Sequence, residues 1–580
     1  MNSHQQYGKR IWCWILALCL MLSLVACYPA PATHPSTPST SPSTNPRPSE
    51  PNATSPTFVV NPTEPTDPTL PTEPPEPTSP EIIWDGLEYI LTQNDVDLFY
   101  ALLDQCEMLA LEGQDMDSID ASSNALDAQY EYLNAQCTIA QIQHYCDTSD
   151  SVRAQQYLDC AEICIQAGDA YIQMARRVYL SDTPAKDLLF ADWTEQDFAM
   201  LMAYDEEIAL LRQRNEEITV EYYANEDDDT LIPLYIEFVQ NNNQIARYYG
   251  YDNYYEYAYE LVYNRDYQPD ELEQMRQYVK EYIVPVFHQS YLNCYHTIPY
   301  LSQADWDGLN HFLEADYNSA DRNYVDLYIQ TVPDSMADAL RRMLEEDSLF
   351  VTNESAKAIA FTTMIGDRSF CFFGPSYASS STVIHEGGHY YASLYSDLDA
   401  IPMDLAEVHS QGNEWLFIHA MKQYMSTAQY DALVDFRIYN DLATVLICLM
   451  VDEFESKVYS TDISEFTAED FDALMESVAT QYFSMSYISH YIADISWYWR
   501  MVVVDQPVYY ISYAVSAIAA LDLYTVAMTD FDAAISAYQM LCEHLDEELG
   551  FLGNLESAGL SGPFREAFYQ RVAQLVEDRL

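Results

Sequence analysis

The stretch that decides the reading is Val383-Ile384-His385-Glu386-Gly387-Gly388-His389-Tyr390. Two histidines four apart, with a glutamate directly after the first, form an HExxH pattern. On one helical turn it presents both imidazoles to a single metal ion and holds a carboxylate beside it. Zinc takes two such nitrogens, needs a third protein ligand and keeps a position for water, on which the glutamate acts as general base. Val383, Ile384, Tyr390, Tyr391 and Leu394 supply the apolar side that a partly buried zinc helix requires. Gly387-Gly388 in mid-helix costs about 1 kcal/mol per residue against alanine. That cost is tolerable where another element must pack closely over the helix. Ser380, Ser381 and Thr382 are available as its N-cap.

The third ligand is sought downstream, in Ala406-Glu407-Val408-His409-Ser410-Gln411-Gly412-Asn413-Glu414-Trp415. Glu407 is separated from His389 by 17 residues, a distance that a second helix can close. Glu414 lies seven residues further on the same helical face, so spacing alone leaves both glutamates open as the ligand. His409 and His419 are the other nearby donors. His409, two residues from Glu407, points elsewhere if Glu407 faces the metal, and so suits a supporting or substrate-facing role.

Upstream, residues 357–364 and 369–373 are β-rich runs joined by Ile365-Gly366-Asp367-Arg368, a predicted hairpin that Gly374-Pro375 ends. The run offers an edge to which an extended peptide could add as a further strand, and Phe372 and Gly374 are expected to contact substrate. Nearly everything else from residue 81 reads as amphipathic helix: 98–112, 116–146, 150–180, 194–217, 232–249, 252–263, 270–287, 300–315, 333–347 and most of 403–580. One more strand is expected at Ile218–Tyr223, before a solvated acidic turn at Asn225–Asp229.

The chain before residue 81 reads differently. Lys9 and Arg10 precede an apolar run from Ile11 to Leu22, and Leu24-Val25-Ala26-Cys27 follows as a cleavage box. The apolar run is too short for an ordinary spanning helix. Its resemblance to lipoprotein signals implies removal of residues 1–26 and lipid on Cys27, with the protein anchored at the outer face of a bacterial cytoplasmic membrane. Residues 27–80 are then a Pro/Thr/Ser-rich tether that forms no core. A helical domain over 81–195 and a catalytic domain over 196–580 complete the expected organisation.

With 91 acidic and 25 basic residues among 580, the net charge of −66 excludes nucleic acid as a partner and adhesion to anionic lipid through charge. Nine cysteines beyond Cys27, irregularly spaced, do not form a disulfide scaffold. Cys160 and Cys164 lie one helical turn apart with Cys137 and Cys146 shortly before them, so a local bridge is open there.

Together, the HEGGH helix and the segment Glu407-Val408-His409-Ser410-Gln411-Gly412-Asn413-Glu414 resemble the M3 family of zinc metallopeptidases, in particular oligoendopeptidase F. The resemblance extends to Asn243–Tyr254, to Phe436-Arg437 with Asp452-Glu453-Phe454-Glu455, and to Pro507–Ala514, covering roughly residues 195 to 580. It implies a mainly α fold of two helical lobes around a deep substrate channel, with a small β-sheet next to the HExxH helix. It also implies one Zn2+ held by His385, His389 and Glu407, Glu386 as general base, and short unstructured peptides as substrates of a monomer. Tyr513 is implied as transition-state donor, with Tyr509 and Tyr510 lining the same wall. The link between the two motif helices is shorter than is usual in the family. Relatives also carry a histidine shortly before that tyrosine. Here Arg500-Met501-Val502-Val503-Val504-Asp505 stands in its place and the preceding histidine is His490, so either Arg500 or His409 substitutes or turnover is weaker than usual in the family. The competing classes are a tethered peptide-binding lipoprotein and a zinc hydrolase of cell-wall peptides.

Overall fold

The computed structural model describes residues 87–579 apart from 114, 192–200, 202–205, 224, 226, 298–300, 315–322, 397–400, 485–486, 489–499, 501–503, 505 and 547–548. Cys27, the signal, the tether and His490 lie outside the described residues. The described chain is predominantly helical with one small sheet.

Three long helices open it, Gln93–Glu112, Met116–Cys146 and Ser151–Leu180. They enclose a core of their own, in which Phe99, Leu103, Ile119, Leu126, Leu133 and Tyr171 are buried. Helix Glu206–Tyr223 follows, and it corrects the strand expected at Ile218–Tyr223. Ile218 and Tyr222, four apart, are both buried, so the period is helical and packing overrides the weak β preference of the branched residues.

The sheet has the order β1-β3-β2, with β1 at Ser348–Phe350, β2 at Ala360–Ile365 and β3 at Arg368–Phe373. β2 and β3 form the expected antiparallel hairpin, Ala360 opposite Phe373 and Ile365 opposite Arg368. Gly366 takes a positive φ of 64° in the two-residue turn between them. β1, which the sequence did not announce, pairs parallel to β3. The alternation of β3 gives each face its own core. Phe370 and Phe372 bury against Ala135, Ile139, Ile142 and Tyr145 of helix Met116–Cys146. Cys371 and Phe373 face the main core with Val383 and Ile384. The strip of sheet thus joins the N-terminal helices to the motif helix, and β2 is left at an edge.

The motif helix spans Ser380–Ser393 and is capped by Ser379, whose hydroxyl accepts from the Thr382 amide at 3.1 Å, one residue before the expected caps. Its neighbour is the companion helix Met403–Met421. The long helix Thr427–Ser460 and helix Ile511–Thr529 complete this layer. By length and composition Ile511–Thr529 could span a membrane, but most of it is buried inside the molecule as a core helix.

The two mid-helix glycines are explained by packing. A Cβ on Gly388 would lie 2.3 Å from the His409 carbonyl oxygen and 2.8 Å from Ser410 Cα, so here the motif and companion helices meet backbone to backbone. A Cβ on Gly387 would crowd the tip of the Leu340 side chain at 2.4 Å and touch only side chains beyond it, Met343 at 3.7 Å and Asn413 at 3.8 Å. Alanine gains about 1 kcal/mol of helix propensity at either position, but overpacking against unyielding backbone costs about 1–3 kcal/mol. Gly388→Ala is therefore expected to lower the urea midpoint well below that of Gly387→Ala, at unchanged m-value. Equal midpoints would show that the helices separate freely.

Candidate active site

The motif helix and the companion helix bring His385, His389 and Glu407 together. One donor atom from each lies within 4.8 Å of the others, and all three residues are half-buried. His385 Nε2 is 3.7 Å from Glu407 Oε2, and the two imidazole rings stand 5.2 Å apart at 77°. Glu407 is steadied by Ser410, whose hydroxyl donates to Oε2 at 3.0 Å.

Glu414, the alternative third ligand by spacing, is used differently. Its Oε1 lies 2.8 Å from His385 Nδ1, and Oε2 accepts from the Ser381 hydroxyl at 3.0 Å and from Arg437. A carboxylate on Nδ1 fixes the proton there and leaves Nε2, the nitrogen facing Glu407, as the metal donor. Arg437 pairs in turn with Asp441 at 2.9 Å, and Asp441 accepts from the Trp415 indole at 2.7 Å. A buried chain thus runs from Trp415 through Asp441, Arg437 and Glu414 to the imidazole of His385.

Asn413 fixes how the two helices are rotated. Its amide donates to the Ile384 carbonyl at 2.7 Å, and its own oxygen accepts from the Tyr328 hydroxyl at 2.7 Å. Glu386 is buried on the sheet side of the motif helix, where Thr362 of β2 donates to its Oε2 at 2.8 Å.

The electrostatics follow from burial and from three neighbouring carboxylates. Burial pushes Glu386 up to about 7, against the pull of His385 and the Thr362 hydroxyl. Burial also raises Glu414, but Arg437, with His385 and Ser381, overrides it and brings the carboxyl down to about 2. Burial opposes charge on His385, yet Glu414 holds it up at about 9, whereas burial takes His389 down to about 4. The pocket therefore draws positive charge to the imidazole that faces Glu407. Two imidazoles and a carboxylate, with a carboxylate orienting one imidazole from behind, fit a zinc ion.

The other residues named from the sequence lie as follows. His409 is buried, its Nε2 donating to the Leu541 carbonyl at 3.1 Å, and burial takes it down to about 3. It braces the companion helix and has no surface to offer a substrate. Arg500 is engaged by Asp228 at 3.0 Å and by Asp472 at 2.8 Å. Phe372 is fully buried between the sheet and helix Met116–Cys146, and Gly374 is a close-packing position where a Cβ would lie 2.0 Å from the Lys357 carbonyl oxygen. Burial leaves His409 and Phe372 no surface for the substrate-facing roles expected of them. Tyr509, Tyr510 and Tyr513 cluster at the start of helix Ile511–Thr529, with the Tyr509 hydroxyl 3.5 Å from that of Tyr513. One turn beyond Tyr513, on the same side of the helix, Ser516 donates to the backbone of Asp404 on the companion helix. Thr362 was not foreseen, since no local pattern marks a strand threonine as the partner of a distant glutamate.

No protein-family model matches the sequence, and no curated protein matches it. Among solved structures the fold is similar to that of PZ peptidase A, with a TM-score of 0.64 at 17% identity over 85% of this chain and 98% of that one. A structure described as an oligoendopeptidase F gives 0.64 at 18% identity, over 86% and 98% of the two chains. Another so described, from Bacillus anthracis, gives 0.60 at 17% identity over 85% and 96%. The chain thus has the fold of these peptidase structures over most of its length.

The two glutamates of the companion helix are expected to behave differently on substitution. Glu407→Ala should abolish stoichiometric zinc binding, measured against a chromophoric chelator. Glu414→Gln should retain it with affinity lowered about 10–100-fold, as for an orienting partner of a ligand. The reverse order would make Glu414 the ligand.

Proposed function

We propose that this chain is a zinc-dependent metalloendopeptidase that hydrolyses internal bonds of short, unstructured oligopeptides. The observation that carries the reading is the convergence of His385, His389 and Glu407 from two helices, with Glu386 buried beside them and Glu414 behind His385. The shared fold with oligoendopeptidase structures supports it. Zinc held by the three ligands would supply Lewis acidity toward the scissile carbonyl and the attacking water. Glu386, with one oxygen anchored by Thr362, takes the water proton and returns it to the departing amine. The Tyr513 hydroxyl donates to the developing oxyanion, with Tyr509 and Tyr510 as the wall around it. Arg500 and His409 are committed elsewhere, so Tyr513 carries this role without a second histidine.

β2 lies at the sheet edge and its Thr362 touches Glu386, so a peptide added to that edge as a strand runs past the general base. Recognition through main-chain hydrogen bonds selects extended peptides over folded proteins. In this reading a channel between two helical lobes admits them, and lipid on Cys27 holds the enzyme, as a monomer, at the outer face of the cytoplasmic membrane.

Cleavage of a quenched linear peptide should be abolished by a chelator and restored by zinc. Absence of chelator-sensitive cleavage across a varied peptide set would end the proposal, and preference for cell-wall stem peptides would redirect it. Glu386→Gln is expected to lower kcat by at least about 10²–10⁴-fold with zinc stoichiometry unchanged, whereas a peptide-binding protein would bind its ligand unaltered. Tyr513→Phe should lower kcat by about 10²–10³-fold with little change in KM. An unchanged kcat would remove Tyr513 from the site.

A further inference from the structure

Far along the chain from the HExxH site, the N-terminal helices hold a second cluster of ligating groups. Helix Met116–Cys146 contributes Cys137, and helix Ser151–Leu180 contributes Cys160 and Cys164, one turn apart on one face. The three sulfurs all lie within 4.8 Å of one another, and all three are free thiols. Cys160 and Cys164 have no exposed surface, and Cys137 is half-buried.

A single buried cysteine is ordinarily a small hydrophobe. Three converging on one point from two helices form a donor set. Metal–thiolate bonds of about 2.3 Å place coordinated sulfurs about 4 Å apart, within the spacing the helices already hold. The set contains no imidazole or carboxylate, and such all-sulfur sites select soft cations over magnesium or calcium. We infer that Cys137, Cys160 and Cys164 form a trithiolate site for a thiophilic d10 metal cation. On binding, the three S–H protons pass to solvent and three sulfur–metal bonds form, with no change of oxidation state. Half-buried Cys137 gives the ion its way in. The site is bound up with the packing of the helical hairpin, because its ligands lie on both arms, so occupancy would staple the N-terminal core.

The test is a Cd(II) titration of the reduced, demetallated full chain, following the sulfur-to-metal charge-transfer absorption that imidazole and carboxylate ligands do not give. One equivalent should saturate the band. It should be lost in Cys160→Ser and also in Cys137→Ser, which removes a ligand from the other helix, while His385→Ala keeps it. Unchanged far-UV circular dichroism in the two serine variants separates loss of ligand from loss of fold. Bound Cd(II) should raise the thermal midpoint of the wild type and not of Cys160→Ser, a second readout that stands if one variant folds poorly. Absence of the band in the wild type, its survival in Cys160→Ser, or a wild-type protein isolated with two of these thiols already joined as a disulfide would overturn the inference. None of these outcomes bears on the peptidase reading, whose ligands lie on other helices.

Discussion

The motif and companion helices, which between them carry His385, His389 and Glu407, meet backbone to backbone. Here the approach is made at Gly388, where the motif helix rests on the backbone of His409 and Ser410. Everything else at the site is adjusted around that contact. Asn413 sets the rotation by reaching across to the Ile384 carbonyl, and it can be buried because Tyr328 satisfies its other end. The buried imidazole of His409 belongs to the same joint. Its ring is anchored to the Leu541 carbonyl, and its own carbonyl accepts from the Tyr538 hydroxyl at 2.6 Å. A residue that looks like a spare ligand in the sequence is in fact a fixture of the helix packing.

The buried charges serve orientation more than stability. Glu414, Arg437 and Asp441 are nearly removed from water, and burying such groups costs several kcal/mol per ion before any pairing is counted. The chain of contacts is complete from the Trp415 indole to the imidazole of His385, so the expense leads to a definite end: one histidine held in one tautomer, with its free nitrogen toward Glu407. Glu386 receives a simpler support from a single threonine hydroxyl on β2. β2, the strand that steadies Glu386, is also at the sheet edge.

Legibility in the sequence followed the range of the interactions. The two histidines and Glu386 were plain because their geometry is contained in one helical turn. Glu407 and Glu414 could not be separated by spacing, since both fall on one face. What distinguishes them is Arg437, more than twenty residues further on another helix. The hairpin 360–373 was readable from its alternation and its glycine turn, whereas β1 is three residues long and exists only because β3 is there to pair with. The segment 218–223 is helix and not strand because the four-residue spacing of buried Ile218 and Tyr222 outweighs the β preference of its branched residues. Phe372 shows a related limit. Alternation tells that a strand has two faces, but not that both will be covered.

The tyrosines at the start of helix Ile511–Thr529 follow a turn that is held from several sides. Val508, just before Tyr509, has φ 66°, a conformation that a β-branched residue adopts only when its surroundings impose it. Those surroundings are specific. The Val508 amide donates to buried Glu455 at 2.8 Å, and its carbonyl accepts from Arg265 at 3.0 Å. Arg265 also donates to Ser512 at 2.9 Å, lies over the rings of Tyr259 and Tyr263, and reaches toward Asp404 at 3.7 Å. Asp404 stands one turn before Glu407 on the companion helix. The strained turn before Tyr513 is therefore fastened to the helix that carries Glu407. In the proposed mechanism the Tyr513 hydroxyl and the candidate ligand Glu407 would thus be tied together through Arg265.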